Sequence, residues 1–181
     1  MAQHEDMLFI RARDGGVLIV IGIDPGTRYT GYGVVKKEGN KLTRLTSGRI
    51  IAGTSADELG DRLVKIHDGL QEVLEAYKPE CGALEGIFTA RNAMSSLKLG
   101  HARGVAMLML HMHGVELTEY APASIKQAVA GNGRAKKATV EHMVRMILNL
   151  RQMELSEDES DALAIAVCHC NTAGFYSRLR A

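Results

Sequence analysis

The chain has 181 residues, of which 46% are hydrophobic and 24% charged. That balance suits one globular domain with a real core and excludes a low-complexity or intrinsically disordered chain. No apolar run reaches the roughly 18 residues of a membrane span, and a net charge of +1 gives no general reason to expect a nucleic-acid partner.

Residues 1–16 are charged and end in Gly15-Gly16; they read as an N-terminal extension, a strand or loose arm ahead of the core. A single domain is expected from 17 to 181. Val17–Ile23 is apolar or glycine and mostly β-branched, the pattern of a strand buried on both faces. Mixed charges precede it and Asp-Pro-Gly follows, so it does not read as a signal peptide. Asp24 ends the strand and Pro25-Gly26 turns the chain away. Tyr29–Lys37 and Lys41–Ile51 form two more strands, joined at Glu38-Gly39-Asn40 by a hairpin turn. Ala56–Tyr77 has helical spacing, with Leu59, Leu63, Ile66, Leu70, Val73 and Leu74 on one stripe.

Cys81–Glu85 is a short fourth strand that also ends in an acid. A long helix spans Ala93–His113, and its second half is apolar almost all round, as expected of a deeply buried helix or an interface. Val115–Tyr120 is the fifth strand. Pro122 opens a helix to about Ala130. Gly131-Asn132-Gly133 breaks it, and Ala135–Leu150 is helical again. Ser156 caps the last helix, with Glu159 as its capping-box partner, and that helix is expected to run to about Asn171. Three antiparallel strands followed by strand–helix units indicate a mixed α/β sheet with helices on both faces.

The cysteines, Cys81, Cys168 and Cys170, are odd in number and make no metal-type pair of pairs, which suits a reducing cytoplasm. Cys168-His169-Cys170 could suggest a metal site, but its apolar helical setting favours packing. Charge is segregated. Lys126 to Arg145 is basic, with Lys126, Arg134, Lys136, Lys137 and Arg145 against Glu141; Arg91 to Arg103 is basic as well. Glu154 to Asp161 is acidic. Each cluster alone could be a solvated helix face. Together they suit an acidic metal site within a basic binding surface.

Asp24 and Glu85 end predicted buried strands, while Asp158 and Asp161 share a face near the start of the last helix. A helix start also selects acids on its own account. If that helix crosses the strand ends, four carboxylates converge, and packing gives no reason for such repulsion. Mg²⁺, an oxygen-seeking cation, would relieve it. Two such ions roughly 3.5–4 Å apart can clamp a phosphodiester.

Four stretches in order carry a family resemblance. Gly22-Ile23-Asp24-Pro25-Gly26-Thr27-Arg28-Tyr29-Thr30-Gly31-Tyr32-Gly33 resembles the opening motif of the RuvC family of crossover (Holliday) junction endonucleases. Leu84-Glu85-Gly86-Ile87-Phe88 resembles its second acidic motif. Leu97-Lys98-Leu99-Gly100-His101-Ala102-Arg103-Gly104-Val105 resembles its long-helix motif. Asp158-Glu159-Ser160-Asp161-Ala162-Leu163-Ala164-Ile165-Ala166 resembles its last motif. The likeness spans roughly Val17 to Cys170.

The resemblance implies a ribonuclease H-like fold and a homodimer, assembled here through helix 93–113. It implies Mg²⁺-dependent cutting of a four-way DNA junction in recombination and repair, with Mn²⁺ also supporting activity and two ions per site once DNA is bound. Asp24, Glu85, Asp158 and Asp161 match the catalytic, metal-binding acids. Lys126 and Lys137 match basic residues near the scissile phosphate, and Phe88 an aromatic that stacks on bases. Arg91, Arg134 and Lys136 are further expected DNA contacts. RuvA and RuvB branch-migration proteins are the implied partners, the cytoplasm is the expected location, and no membrane is involved. Three rivals stay open: a sugar-kinase or actin-like ATPase, for which Asp-x-Gly-Thr also serves as a phosphate loop; a related ribonuclease H-like nuclease with another nucleic-acid substrate; and a non-catalytic junction-binding module. The ATPase needs a second lobe that 181 residues leave no room for.

Overall fold

Val17–Asp24 is the central strand, β1, of a five-stranded sheet. The structure, a computed structural model, describes residues 16–86 and 93–179. Residues 1–15 of the expected arm, together with Phe88 and Arg91, lie outside the described residues. β2 (Tyr29–Glu38) and β3 (Lys41–Ile51) continue the antiparallel meander, while β4 (Cys81–Glu85) and β5 (Glu116–Tyr120) run parallel to β1 on its other side. The order is β3-β2-β1-β4-β5, the mixed sheet that the strand pattern predicts.

Among the described residues, five helices cover the two faces. α1 (Leu59–Tyr77) and α2 (Ala93–Met112) lie on one face, where Ile21, Ile23 and Val34 meet Ile66, Leu70, Ala106 and Leu110. α3 (Pro122–Ala130), α4 (Lys137–Ile147) and α5 (Glu157–Leu179) cover the other, with Val20 and Val35 against Ile125, Val144, Leu163 and Val167. β1 is packed on both sides, which is why it reads as a continuous apolar run.

β2 and β5 differ from the sequence reading by one residue each, and the larger differences lie at helix ends. α1 begins at Leu59, not Ala56, because the Asp57 carboxylate accepts from the Thr54 backbone N–H and hydroxyl and holds residues 54–57 in a turn. Its C-terminus is Lys78, left-handed at φ 45° with its N–H on the Leu74 carbonyl, just ahead of Pro79. α4 is shorter than expected, Lys137 to Ile147, and α5 is longer, to Leu179. The three cysteines are free and buried. His169 is buried between Cys168 and Cys170, and its Nδ1 pairs with the Tyr120 hydroxyl at 3.0 Å; burial pushes its pKa down to about 4, so it packs as a neutral ring.

Glycine sets how closely α5 approaches the sheet. A Cβ at Gly31 would run into the carbonyl oxygen of Asp158, and one at Gly22 into the backbone of Ala162 and Ala166. The glycines of the first motif therefore face the small residues of the last, and α5 lies almost against the backbone of β1 and β2.

Candidate active site

That close approach brings the carboxylates within electrostatic reach of one another. Asp24 is the last residue of β1 and pairs across β2 with Gly31, on which the Asp158 backbone rests. In the parallel β1–β4 ladder Ile23 pairs with Leu84, so Asp24 and Glu85 leave adjacent strands side by side. Asp161 follows Asp158 by one helical step on the same face of α5. Burial raises the Asp24 carboxyl from 3.8 to about 7, assisted by the charges of Asp161, Glu85 and Asp158 and opposed by Lys137. Burial and the Asp161 charge likewise raise Glu85, against Lys126 and Lys137. Asp161 is also raised by burial, against its hydrogen bond from Lys137. These are the signatures of anions forced together in a poorly hydrated place.

Lys126 and Lys137 reach the same place from α3 and α4, and with Glu85 and Asp161 they line one cleft floored by Ile125 and Val140. Lys137 donates to the Asp161 carboxylate at 2.7 Å and also to Glu157. Burial works against its charge, but those two bonds outweigh it and hold the ammonium above its ordinary pKa. Lys136 and Lys137 begin α4 with no acid in its first turn. Cations at the positive end of a helix dipole weaken the helix, so helix stability does not explain them. Arg134 and Lys136 are exposed beside the cleft. Among the described residues no three His, Cys, Asp or Glu side chains are drawn into a ready-made metal-ligand group; the Lys137 ammonium sits on Asp161 instead.

Sequence reasoning missed the groups that fix these strand ends. Arg62 of α1 is buried and donates through Nε to the Thr27 carbonyl at 2.6 Å, holding the turn that follows Asp24. The Thr30 hydroxyl closes the same turn by donating to the Gly26 carbonyl at 2.8 Å. Arg103 of α2 is buried, donates to the backbone carbonyl of Glu85 at 2.6 Å and pairs with Glu119 at 2.5 Å. Glu159 completes the expected capping box with Ser156 and also accepts from the Ser47 hydroxyl of β3 at 2.5 Å, which fixes the start of α5 against the sheet. Arg62 could have been found, since it lies four residues before Ile66 on the buried stripe.

The profile of the family described as crossover junction endodeoxyribonuclease RuvC matches residues 20–169. A protein of that name from Geobacter sp. (strain M21) is 46% identical over 163 residues, 90% of this chain and 98% of its own. Another, from Syntrophotalea carbinolica, is 51% identical over 152 residues, 84% of this chain and 93% of its own. The solved structure of Thermus thermophilus RuvC in complex with a Holliday junction substrate is 35% identical, with a TM-score of 0.83 over 88% of this chain and 97% of that one.

Proposed function

The chain belongs to the RuvC family of crossover junction endodeoxyribonucleases, and on that premise we propose that Asp24, Glu85, Asp158 and Asp161 are its catalytic acids. It is a nuclease of four-way (Holliday) DNA junctions with a ribonuclease H-like fold. The observation that carries the site reading is the rise of Asp24 to about 7 under burial and three neighbouring acids. Such a cluster costs the fold stability unless a cation joins it.

The donor set fits a hard divalent ion. All four side chains offer oxygen, and among the described residues none of the three cysteines joins the cluster. Asp24, Glu85, Asp158 and Asp161 would hold Mg²⁺, or Mn²⁺ in its place, as two ions once DNA is bound. Such ions supply an activated water and charge neutralisation at the phosphodiester. Asp24 and Glu85 are fixed by backbone anchored to Arg62 and Arg103, so their carboxylates hold position against their own repulsion. Lys137 guards Asp161 in the free protein. When a phosphate enters the cleft, its ammonium and that of Lys126 can turn to the phosphate oxygens and stabilise the charge that builds there. Arg134 and Lys136, exposed at the cleft rim, would hold the flanking backbone, and Phe88 and Arg91 are proposed to contact DNA near the crossover.

A junction with two-fold symmetry calls for two sites related by a two-fold axis. On α2, Leu97, Leu108 and Met112 are 58%, 55% and 65% exposed. With His101 and Gly104, also exposed, they recur at steps of three and four and form one stripe. Of the two expected settings, deep burial and an interface, the first does not hold all round: Ala106, Met109 and Leu110 face the core while Leu108 and Met112 do not. We assign the stripe to a homodimer of two α2 helices. RuvA and RuvB are the branch-migration partners this reading implies, and the cytoplasm is its location; among the described residues no helix is long and apolar enough to cross a membrane.

The test is incubation with a synthetic four-way junction and a linear duplex of the same sequence, in Mg²⁺, Mn²⁺ or EDTA. The expected result is paired symmetric nicks in the junction alone, with either metal. Equal cutting of the duplex, or cutting in EDTA, would overturn the reading.

A further inference from the structure

On the flank of the cleft away from Lys126 and Lys137, two guanidinium groups share one aromatic ring. The Arg49 guanidinium carbon lies 4.6 Å from the Tyr29 ring centroid, and that of Arg28 lies 5.5 Å from it. Both arginines are exposed. Among the described residues neither has a carboxylate partner. A cation–π contact at an exposed site is worth about 0.5–1 kcal/mol, and holding a second cation against the same ring adds repulsion. Fold stability gives little reason for the arrangement; an anion between the two charges would.

The strand register says where that anion would lie. Asp24 pairs with Gly31, and Gly31 pairs with Arg49. Paired residues project to the same face of the sheet, so Asp24 and Arg49 flank the Gly31 position on which the start of α5 rests. The bond from Ser47 to Glu159 confirms that this side of β3 faces α5. With strands about 4.8 Å apart, the Asp24 and Arg49 backbones are about 10 Å apart, about three base steps of duplex rise at 3.4 Å each along the helix axis. Tyr29 pairs with Ile51 at the same end of the sheet.

We propose that Arg28, Tyr29 and Arg49 form a second DNA-backbone site, which grips phosphates of the cleaved strand on the opposite side of the catalytic acids from Lys126 and Lys137. It rests on the reading of the chain as a junction nuclease. The ring fixes the direction of the guanidiniums, so they give up less freedom when they bind, and Arg can take a phosphate with two parallel hydrogen bonds. The strand is then held on both sides of the cut, as in-line attack on a positioned phosphate requires. The site binds and orients; it does not touch the bond that breaks.

The experiment measures junction affinity in EDTA as a function of salt for the parent, Arg49→Ala, Arg49→Lys and the Arg28→Ala/Arg49→Ala pair. Melting temperatures and the single-turnover rate at saturating enzyme with Mg²⁺ are measured alongside. Each phosphate that a variant no longer neutralises should lower the slope of log K against log salt by about 0.9. Arg49→Ala should show a fall of about that amount and the pair about twice as much. Arg49→Lys should keep the slope, since it keeps the charge. Rates at saturation should fall for Arg49→Ala and further for the pair, because the phosphate is less well positioned, and melting temperatures should be unchanged. A double variant that melts like the parent and keeps the parent's slope overturns the inference while leaving the nuclease reading intact. A parent protein that fails to bind the junction at all would remove that reading, and the inference with it.

Discussion

Replacing Asp24 by Asn should stabilise the metal-free protein at pH 8. In the folded state burial and the charges of Asp161, Glu85 and Asp158 hold the Asp24 carboxyl at about 7, against 3.8 for the free group. Between these values the folded protein binds a proton that the unfolded chain has released. Stability therefore falls as pH rises through the interval and is lowest above about pH 7. At about 1.36 kcal/mol per pH unit, the interval from 3.8 to about 7 is a penalty of about 4 kcal/mol at most. Asn keeps the shape but cannot ionise, so it removes that penalty. For a chain of this size 1 kcal/mol moves the melting temperature by about 2–4 °C, so the variant should gain roughly 10 °C at pH 8. At pH 4 the parent's Asp24 is itself protonated when folded and the gain should vanish. The assay is thermal melting of both proteins in EDTA at pH 4, 6 and 8. Millimolar Mg²⁺ should then narrow the gap at pH 8, because a cation that binds only the folded parent stabilises it. A variant no more stable than the parent at pH 8, or one that gains as much at pH 4, would refute the reasoning.

Other perturbations separate the parts of the site. Lys126→Ala and Lys137→Ala should each slow single-turnover cleavage of saturated junction by about a hundredfold, the scale of removing one preorganised donor; Arg134→Ala and Lys136→Ala should instead weaken binding, read as a smaller salt slope. Gly31→Ala should push the start of α5 off the sheet, because its Cβ meets the Asp158 carbonyl. A loss of about 2 kcal/mol or more in denaturant melts is expected, on the scale of backbone strain and overpacking. Leu108→Asp with Met112→Asp should give a monomer by sedimentation at micromolar concentration, with the melting temperature of the core nearly unchanged, since both side chains are exposed in one copy.

The strands were legible in the sequence because turn residues or a terminal acid punctuate them: Val17–Asp24, Lys41–Ile51 and Cys81–Glu85 have the same limits in the structure. An approach of Asp24, Glu85, Asp158 and Asp161 was expected from two strand ends and one helix face; the charges of the last three all act on Asp24, but among the described residues they are not drawn into a ready-made ligand group. Helix ends were less legible, since the first turn of α1 is replaced by a side-chain turn at Thr54 and Asp57, and spacing carries no sign of that competition. The buried arginines were hidden for another reason. Arg62 and Arg103 bind backbone carbonyls, at Thr27 and Glu85, and a carbonyl has no residue identity to read. Lys137 was expected beside a phosphate, yet in the free protein it rests between Asp161 and Glu157. Its partner Glu157 lies outside the residues that carry the family resemblance. The Arg28–Tyr29–Arg49 stack depends on strand register, which brings Tyr29 and Arg49 together across β2 and β3 although they are far apart in the chain.

The most direct test of the account is single-turnover cleavage of a saturated four-way junction by Asp24→Asn, Glu85→Gln, Asp158→Asn and Asp161→Asn. Junction binding in EDTA is measured on the same samples. If the four acids hold the metal for the cut, each variant should cleave at least about a hundredfold more slowly than the parent, about 2.7 kcal/mol of barrier. Each should bind the junction at least as well as the parent without metal, since a repelling charge has been removed. A variant of any one of the four that cuts at the parent's rate would contradict the claim that all four belong to the site.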